Sequence, residues 1–233
     1  MITVDGLTHT FGETTAVNDV SLTIDDGEWV ALAGPNGSGK TTLVRHFNAL
    51  LEPDAGTVQV NGTPAADQPV AARTSVGMVF QSPREGFVGA TIGADVAFGP
   101  ENLGLDHAEI DRRVDDALAA VNLAGRRDER IDSLSGGEQA RVAIAAAVAM
   151  EPDHLVLDEP FTGLDWPAQQ SVLEHLDDRY ASGMSIIVVS HDLRDLLGRV
   201  DRVIGLHAGS VRFDLPPDTA RDRLPEIDVR PPS

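Results

Sequence analysis

The chain has 233 residues, with 37 acidic against 18 basic side chains and a formal net charge of −19; the acidic groups are 25 Asp and 12 Glu, and the basic ones are 17 Arg and one lysine, Lys40. A surface this acidic repels nucleic acid and its basic residues do not cluster, which argues against a DNA- or RNA-gripping protein, while 42% apolar residues in periodic blocks argue against disorder. Cysteine is absent, which excludes disulfides, thiolate metal sites and a cysteine nucleophile.

The first block, ITVDGLTHT and VNDVSLTI, carries β-branched residues in loose alternation and predicts paired strands, with Asp25, Asp26 and Gly27 as the turn that follows. No basic n-region or apolar h-region precedes it, so no signal peptide is expected. WVALAG is a continuous apolar strand of the kind that a parallel sheet buries on both faces. It runs into residues 34–41 and then into LVRHFNALL, a predicted helix ending near Glu52 and Pro53. A short strand at residues 56–61, a Pro- and Ala-rich loop and a second apolar strand, SVGMVFQ, follow.

From about residue 95 to residue 150 the pattern turns helical, with Ile110, Val114, Leu118 and Val121 at steps of four and three. Strands return with HLVLDE and SIIVVS, separated by a helix over about residues 166–180, and end with DRVIGLHAG and SVRFD. The longest apolar stretches, such as VAIAAAVAM, are about nine residues, far short of the ~20 that cross a bilayer. A soluble cytoplasmic chain is expected, with any membrane connection made through a partner. The proline-rich segment 216–233 is expected to be a loosely packed tail.

Gly34, Pro35, Asn36, Gly37, Ser38, Gly39, Lys40 and Thr41 fit G-x-x-x-x-G-K-[ST] in full, between a buried-type strand and a helix. Such glycines let backbone N–H groups face a phosphate, and the helix N-terminus adds its positive end. Lys40 is placed to reach the β- and γ-phosphates, Thr41 to put its hydroxyl on Mg²⁺, and Thr42 to extend the cradle. A chain that has shed every other lysine keeps the one whose compact point charge arginine does not reproduce. The apolar strand 155–157 ends in Asp158, a carboxylate aimed at the metal, and Glu159 follows, able to orient or deprotonate water.

Leu134, Ser135, Gly136, Gly137, Glu138 and Gln139, just before a predicted helix at residues 140–150, resemble the signature of the ATP-binding cassette (ABC) ATPases. The other ABC elements match in order. Gln81 resembles the glutamine that senses the γ-phosphate and metal, and residues 162–165, ending in Asp165, resemble the loop that reaches across the dimer. His191 resembles the switch histidine at the γ-phosphate, and Phe11 stands where the family has an aromatic ring stacked on adenine. The resemblance covers about residues 2–215. It implies an α/β fold: a P-loop NTPase (RecA-like) core formed by residues 1–86 and 151–215, an N-terminal antiparallel β subdomain, and an inserted, mainly helical subdomain at 87–150 carrying the signature.

It also implies ATP and Mg²⁺ as cofactors, with Thr41, Gln81 and Asp158 at the metal. Glu159, His191, Lys40 and Gln81 are the implied catalytic residues. A second ATPase subunit, identical or related, would pair head-to-tail, its Ser135, Gly136, Gly137 and Glu138 completing the facing nucleotide site. Within the family, QSPREGFVGATIGADVAFGPENLGL at residues 81–105 resembles the energy-coupling factor (ECF) class, with Ser82 and Gly86 as departures. ECF ATPases work with a transmembrane coupling subunit and a substrate-capturing membrane subunit that imports a vitamin or a transition-metal ion. An ATPase of another ABC transporter class is one competing expectation, and a soluble ABC protein acting on DNA ends, ribosomes or iron–sulfur assembly is the other. Missing coiled coils, a single cassette and the acidic surface disfavour the latter.

Overall fold

The computed structural model describes residues 1–232. The chain opens with β1 (Ile2–Phe11) and β2 (Thr14–Ile24), an antiparallel pair, followed by β3 (Trp29–Ala33) and α1 (Lys40–Phe47). β4 (Ala55–Val60) and β5 (Thr63–Pro64) return to β1, giving a four-stranded antiparallel sheet in the order β2-β1-β4-β5. A short helix, α2 (Pro69–Ser75), leads into β6 (Val76–Val79). Three helices come next: α3 (Ile92–Asn102), α4 (His107–Ala120) and α5 (Gly136–Ala149). The chain then builds β7 (His154–Asp158), α6 (Trp166–Ala181), β8 (Ser185–Ser190), β9 (Arg202–His207), β10 (Ser210–Leu215) and α7 (Pro217–Arg223).

The second sheet runs β10-β9-β3-β8-β7-β6, parallel except for the β9–β10 hairpin at its edge. β3, β7 and β8 are buried at every residue, and their side chains alternate between two cores. Trp29, Ala31, Ala33, Leu155, Leu157, Ile186 and Val188 face a core shared with α3 to α6. Val30, Leu32, Val156, Ile187 and Val189 face the other, shared with α1 and the antiparallel sheet. A RecA-like core carrying an antiparallel sheet and a helical insertion is therefore the observed architecture.

Four details differ from expectation. α1 ends at Phe47, well before Glu52, and Ala49 just beyond it takes a left-handed φ of 52°. α2 forms within the stretch read as a loop, with Pro69 at its first turn, where the missing N–H costs nothing. α5 begins at Gly136, before residue 140, because Ser135 and Glu138 cap it despite two helix-poor glycines. The segment after residue 215 is not loosely packed. Ala220, Leu224 and Ile227 are fully buried and Val229 nearly so, in the same core as Val203 and Phe213. The prolines misled: Pro216 and Pro217 start α7, and residues 220, 224 and 227 form a helical apolar stripe behind them.

Candidate functional site

The loop between β3 and α1 lies at the carboxyl ends of the parallel strands, where open α/β sheets hold ligands. Gly39, in the left-handed region at φ 99°, is the N-cap of α1 and gives it no side-chain cap, so the helix's leading N–H groups remain available. Neighbouring backbone fixes this loop. The N–H of Gly209 donates to Ser38 O (3.0 Å), and that of Asn18 donates to Gly209 O (2.9 Å). A Cβ on Gly39 would come within 2.2 Å of Ala16 O, and one on Gly34 within 2.2 Å of Leu206 O. Both positions therefore demand glycine.

A cleft of about 330 Å³ opens over this loop, and Phe11, Asn36, Lys40, Thr41, Gln81 and Glu159 are among the residues lining it. Lys40 is buried, and its Nζ donates to the carbonyls of Gly34 (2.8 Å) and Pro35 (2.9 Å). Burial pulls its pKa down while Glu159 and Asp158 pull the other way. Ser38 Oγ is buried without a partner. Gly37, Ser38, Gly39 and Thr42 line the same cleft, and Pro35 is half-buried beside it.

Thr41 Oγ1 donates to Asp158 Oδ2 at 2.7 Å. The other carboxylate oxygen, Asp158 Oδ1, is buried and has no partner. Burial pushes the Asp158 pKa up, opposed by the Thr41 hydrogen bond. An unmet carboxylate oxygen beside a hydroxyl is a pair of hard oxygen donors that fits Mg²⁺, an ion that keeps water and phosphate as its remaining ligands. Among the described residues no group of three or more His, Asp or Glu could hold a metal by itself.

Glu159 adopts φ 50°, a conformation uncommon for a residue with a Cβ, while its N–H donates to Val189 O at 2.9 Å. Its Oε1 accepts from the His191 N–H (3.1 Å) and lies 2.8 Å from His191 Nδ1. Asp158, Glu159 and His191 thus come together at the ends of β7 and β8. Ser190, absent from the sequence-level set, joins them: Ser190 Oγ donates to the Asp192 carbonyl (3.0 Å) and reaches Glu159 Oε2 at 3.4 Å. Its only signal was a small polar residue closing an apolar strand.

The remaining residues stand apart. Ser135, Gly136, Gly137 and Glu138 open α5, and Asp165 caps α6 through the Ala168 N–H at 3.0 Å; none of them lines the cleft. A Cβ on Gly136 would meet nothing within 4 Å, so the turn faces open space there, while Gly137 lies against the Gly163 carbonyl.

Residues 17–162 match the ABC transporter family. An ABC transporter ATP-binding protein of Halobacterium salinarum is 64% identical over 232 residues, spanning 100% of each chain. An energy-coupling factor transporter ATP-binding protein of Symbiobacterium thermophilum is 44% identical over 202 residues, 85% of this chain and 70% of the other. The solved structure of cbiO1 from Clostridium perfringens, part of the ABC transporter complex cbiONQ, superposes with a TM-score of 0.83 at 32% identity, covering 94% of this chain and 89% of that one. With its phosphate loop, strand-end carboxylates and signature helix in one fold, the chain belongs to the ABC transporter family as an ATP-binding, ATP-hydrolysing subunit of the ECF-related kind.

Proposed function

We propose that this chain is the ATPase of an ECF-type importer for a vitamin or a transition-metal ion such as cobalt or nickel, bound peripherally at the cytoplasmic face of the cell membrane. The observation that carries the reading is an apolar groove of about 550 Å³, separate from the nucleotide cleft, lined by Leu50, Met78, Phe80, Phe87, Phe98 and Met150 among others. Part of the ECF-like stretch 81–105, including Phe87 and Leu103, lines one side of it, with Val88 61% and Phe98 47% exposed, which suits an amphipathic helix from a transmembrane partner. No helix is long and apolar enough to cross a membrane among the described residues.

ATP binding at the cleft draws Lys40 from its own carbonyls to the phosphates and sets Phe11 against the base. Thr41 and Asp158, with Gln81 nearby, would hold Mg²⁺, which when bound neutralises charge on the phosphate oxygens. Glu159 orients water for in-line attack: the new O–P bond forms as the bond to the ADP oxygen breaks. Lys40 and His191 stabilise the charge spreading over the γ-phosphate. Ser135, Gly136, Gly137 and Glu138 of a second subunit, identical or related, close over the nucleotide, and Asp165 lies at that contact. Loss of phosphate removes the bridge and the dimer relaxes. In this reading residues 1–86 and 151–215 are the nucleotide-binding core and 87–150 the coupling and signature subdomain.

The test is affinity capture of the tagged protein from detergent-solubilised native membranes at high salt, with mass spectrometry of what it holds. A conserved transmembrane subunit together with a small multi-helix one is expected, and the ligand of the latter names the cargo. A symmetric permease pair points to another ABC transporter class. Soluble partners alone, with membrane complexes intact in the same extract, overturn the transport reading.

A further inference from the structure

We infer that His9 is a positioning residue for the nucleotide base, the link through which the helix carrying the phosphate loop holds the Phe11 ring in place. The inference rests on the proposed placement of the base at Phe11. Phe11 lines the nucleotide cleft and is 53% exposed, so nothing covers the ring on the cleft side. His9 lies two residues earlier on the same face of β1 and is nearly buried; its ring meets Phe11 edge-on, with centroids 4.6 Å apart and planes at 71°. Behind it lies His46, buried on α1 five residues after Thr41, with its ring 4.9 Å from that of His9.

With both rings neutral, the hydrogen bonds allow one assignment of protons. His46 Nδ1 is 2.8 Å from the Thr42 carbonyl, which can only accept, so that nitrogen carries the proton. In the neutral ring Nε2 is then an acceptor. His9 Nδ1 lies 3.1 Å from the Glu52 carbonyl and 3.3 Å from His46 Nε2, so it is a donor shared between them. A proton on both nitrogens of His46 would set N–H against N–H, and burial already pushes the His46 pKa down. The two imidazoles therefore form a directed chain from the Thr42 carbonyl to His9, with each ring orientation fixed by the bonds it makes. Phe11 at the end of that chain rests on a fixed edge and does not sample its rotamers freely. A base that stacks on a ring already held in place spends less conformational entropy in binding.

The test compares ATP with inorganic tripolyphosphate, which has the phosphates and no base, on the full-length protein by equilibrium binding, with KM and kcat for ATP alongside. An aromatic edge contact of this kind supports a two- to ten-fold effect, about the range such pairs show. His9→Ala is expected to raise the Kd and KM for ATP by that factor, with kcat within two-fold of the parent and tripolyphosphate affinity unchanged. His9→Phe, which restores a ring edge without the hydrogen bonds that fix its orientation, is expected to recover only part of the loss. Phe11→Ala, measured in parallel, separates the layers. If it leaves ATP affinity unchanged, the base does not sit at Phe11 and the underlying placement fails. If it weakens ATP while His9→Ala does not, the role of His9 is overturned. Equal loss of ATP and tripolyphosphate binding in His9→Ala would make His9 a structural support of the phosphate loop, which also overturns the inference.

Discussion

Two helices of this molecule begin with glycine-rich turns, and their N-termini are built in opposite ways. At α1 the N-cap is Gly39, with no side-chain cap, and the turn is pressed against Ala16 O and Leu206 O so closely that a Cβ has no room at Gly39 or Gly34. At α5 the N-cap is Ser135 in a complete capping box: its N–H and hydroxyl donate to Glu138 Oε2 at 2.9 and 2.7 Å, and its Oγ accepts from the Glu138 N–H. Gly136 there faces empty space. The first turn leaves its donors uncapped inside a finished cleft. The second pairs its Ser135 and Glu138 N–H groups within the turn and keeps an open surface at Gly136, as expected of a site that needs another chain to complete it.

The largest effects fall on the first turn and its carboxylate. Lys40→Ala removes the ammonium proposed to reach the phosphates, and a loss of about 10²–10³-fold in turnover is expected, as for other donors that stabilise charge in a transition state. Glu159→Gln is expected to lower hydrolysis by at least about 10²-fold while leaving ATP bound, so that gel filtration with ATP shows a persistent dimer. The two variants then part on one readout: Lys40→Ala stays monomeric with ATP and Glu159→Gln does not. If Glu159→Gln hydrolyses ATP at the parent rate, it is not the group that orients water.

The glycines sharpen the contrast through stability. Gly39→Ala meets both the Ala16 carbonyl and a φ of 99°, which is expected to cost about 1–3 kcal/mol and lower the melting temperature of the free protein. Gly136→Ala sits in a helical turn with nothing within 4 Å, where alanine is favoured over glycine by up to about 1 kcal/mol. Its melting temperature is expected to hold or rise while ATP-driven dimerisation is lost. Scanning calorimetry beside gel filtration checks the pair. A Gly136→Ala protein that still dimerises would remove the case for this turn as an interface.

The sequence made the first turn more legible than the second because phosphate chemistry fixes residue types at fixed spacing. Every fixed position of the motif, Gly34, Gly39, Lys40 and Thr41, has a local reason, and Asp158 and Glu159 are marked by the apolar strand ahead of them. What stayed hidden depended on packing across the fold. His9 and His46 are 37 residues apart, and neither carries a pattern of its own; only the packing of β1 on α1 joins them. Ser190 gains its contact with Glu159 because β7 and β8 lie side by side. In the segment after residue 215, prolines hid an apolar stripe that becomes visible once a groove beside β9 and β10 exists to bury it.

The smallest expected effect tests whether Glu138 competes with an arriving phosphate. Its carboxylate is held by the Ser135 hydroxyl and N–H and by Arg126, whose Nη1 is 2.7 Å from Oε1, and these bonds depress its pKa to about 2. A carboxylate depressed from 4.5 contributes stability that is present above pH 4.5 and lost as pH falls toward 2, so the cap stays charged throughout the neutral range. For a phosphate to take the Ser135 hydroxyl, that negative group must release it. Glu138→Gln keeps an oxygen for the Ser135 N–H and removes the charge. ATP-driven dimerisation is expected to tighten by about two- to five-fold, the scale of one exposed like-charge contact, with a slightly lower melting temperature from the lost Arg126 pair. Sedimentation across a series of ATP concentrations measures it. Weaker dimerisation would mean that the carboxylate prepares Ser135 for the phosphate, and that the second turn, like the first, is already arranged before its ligand arrives.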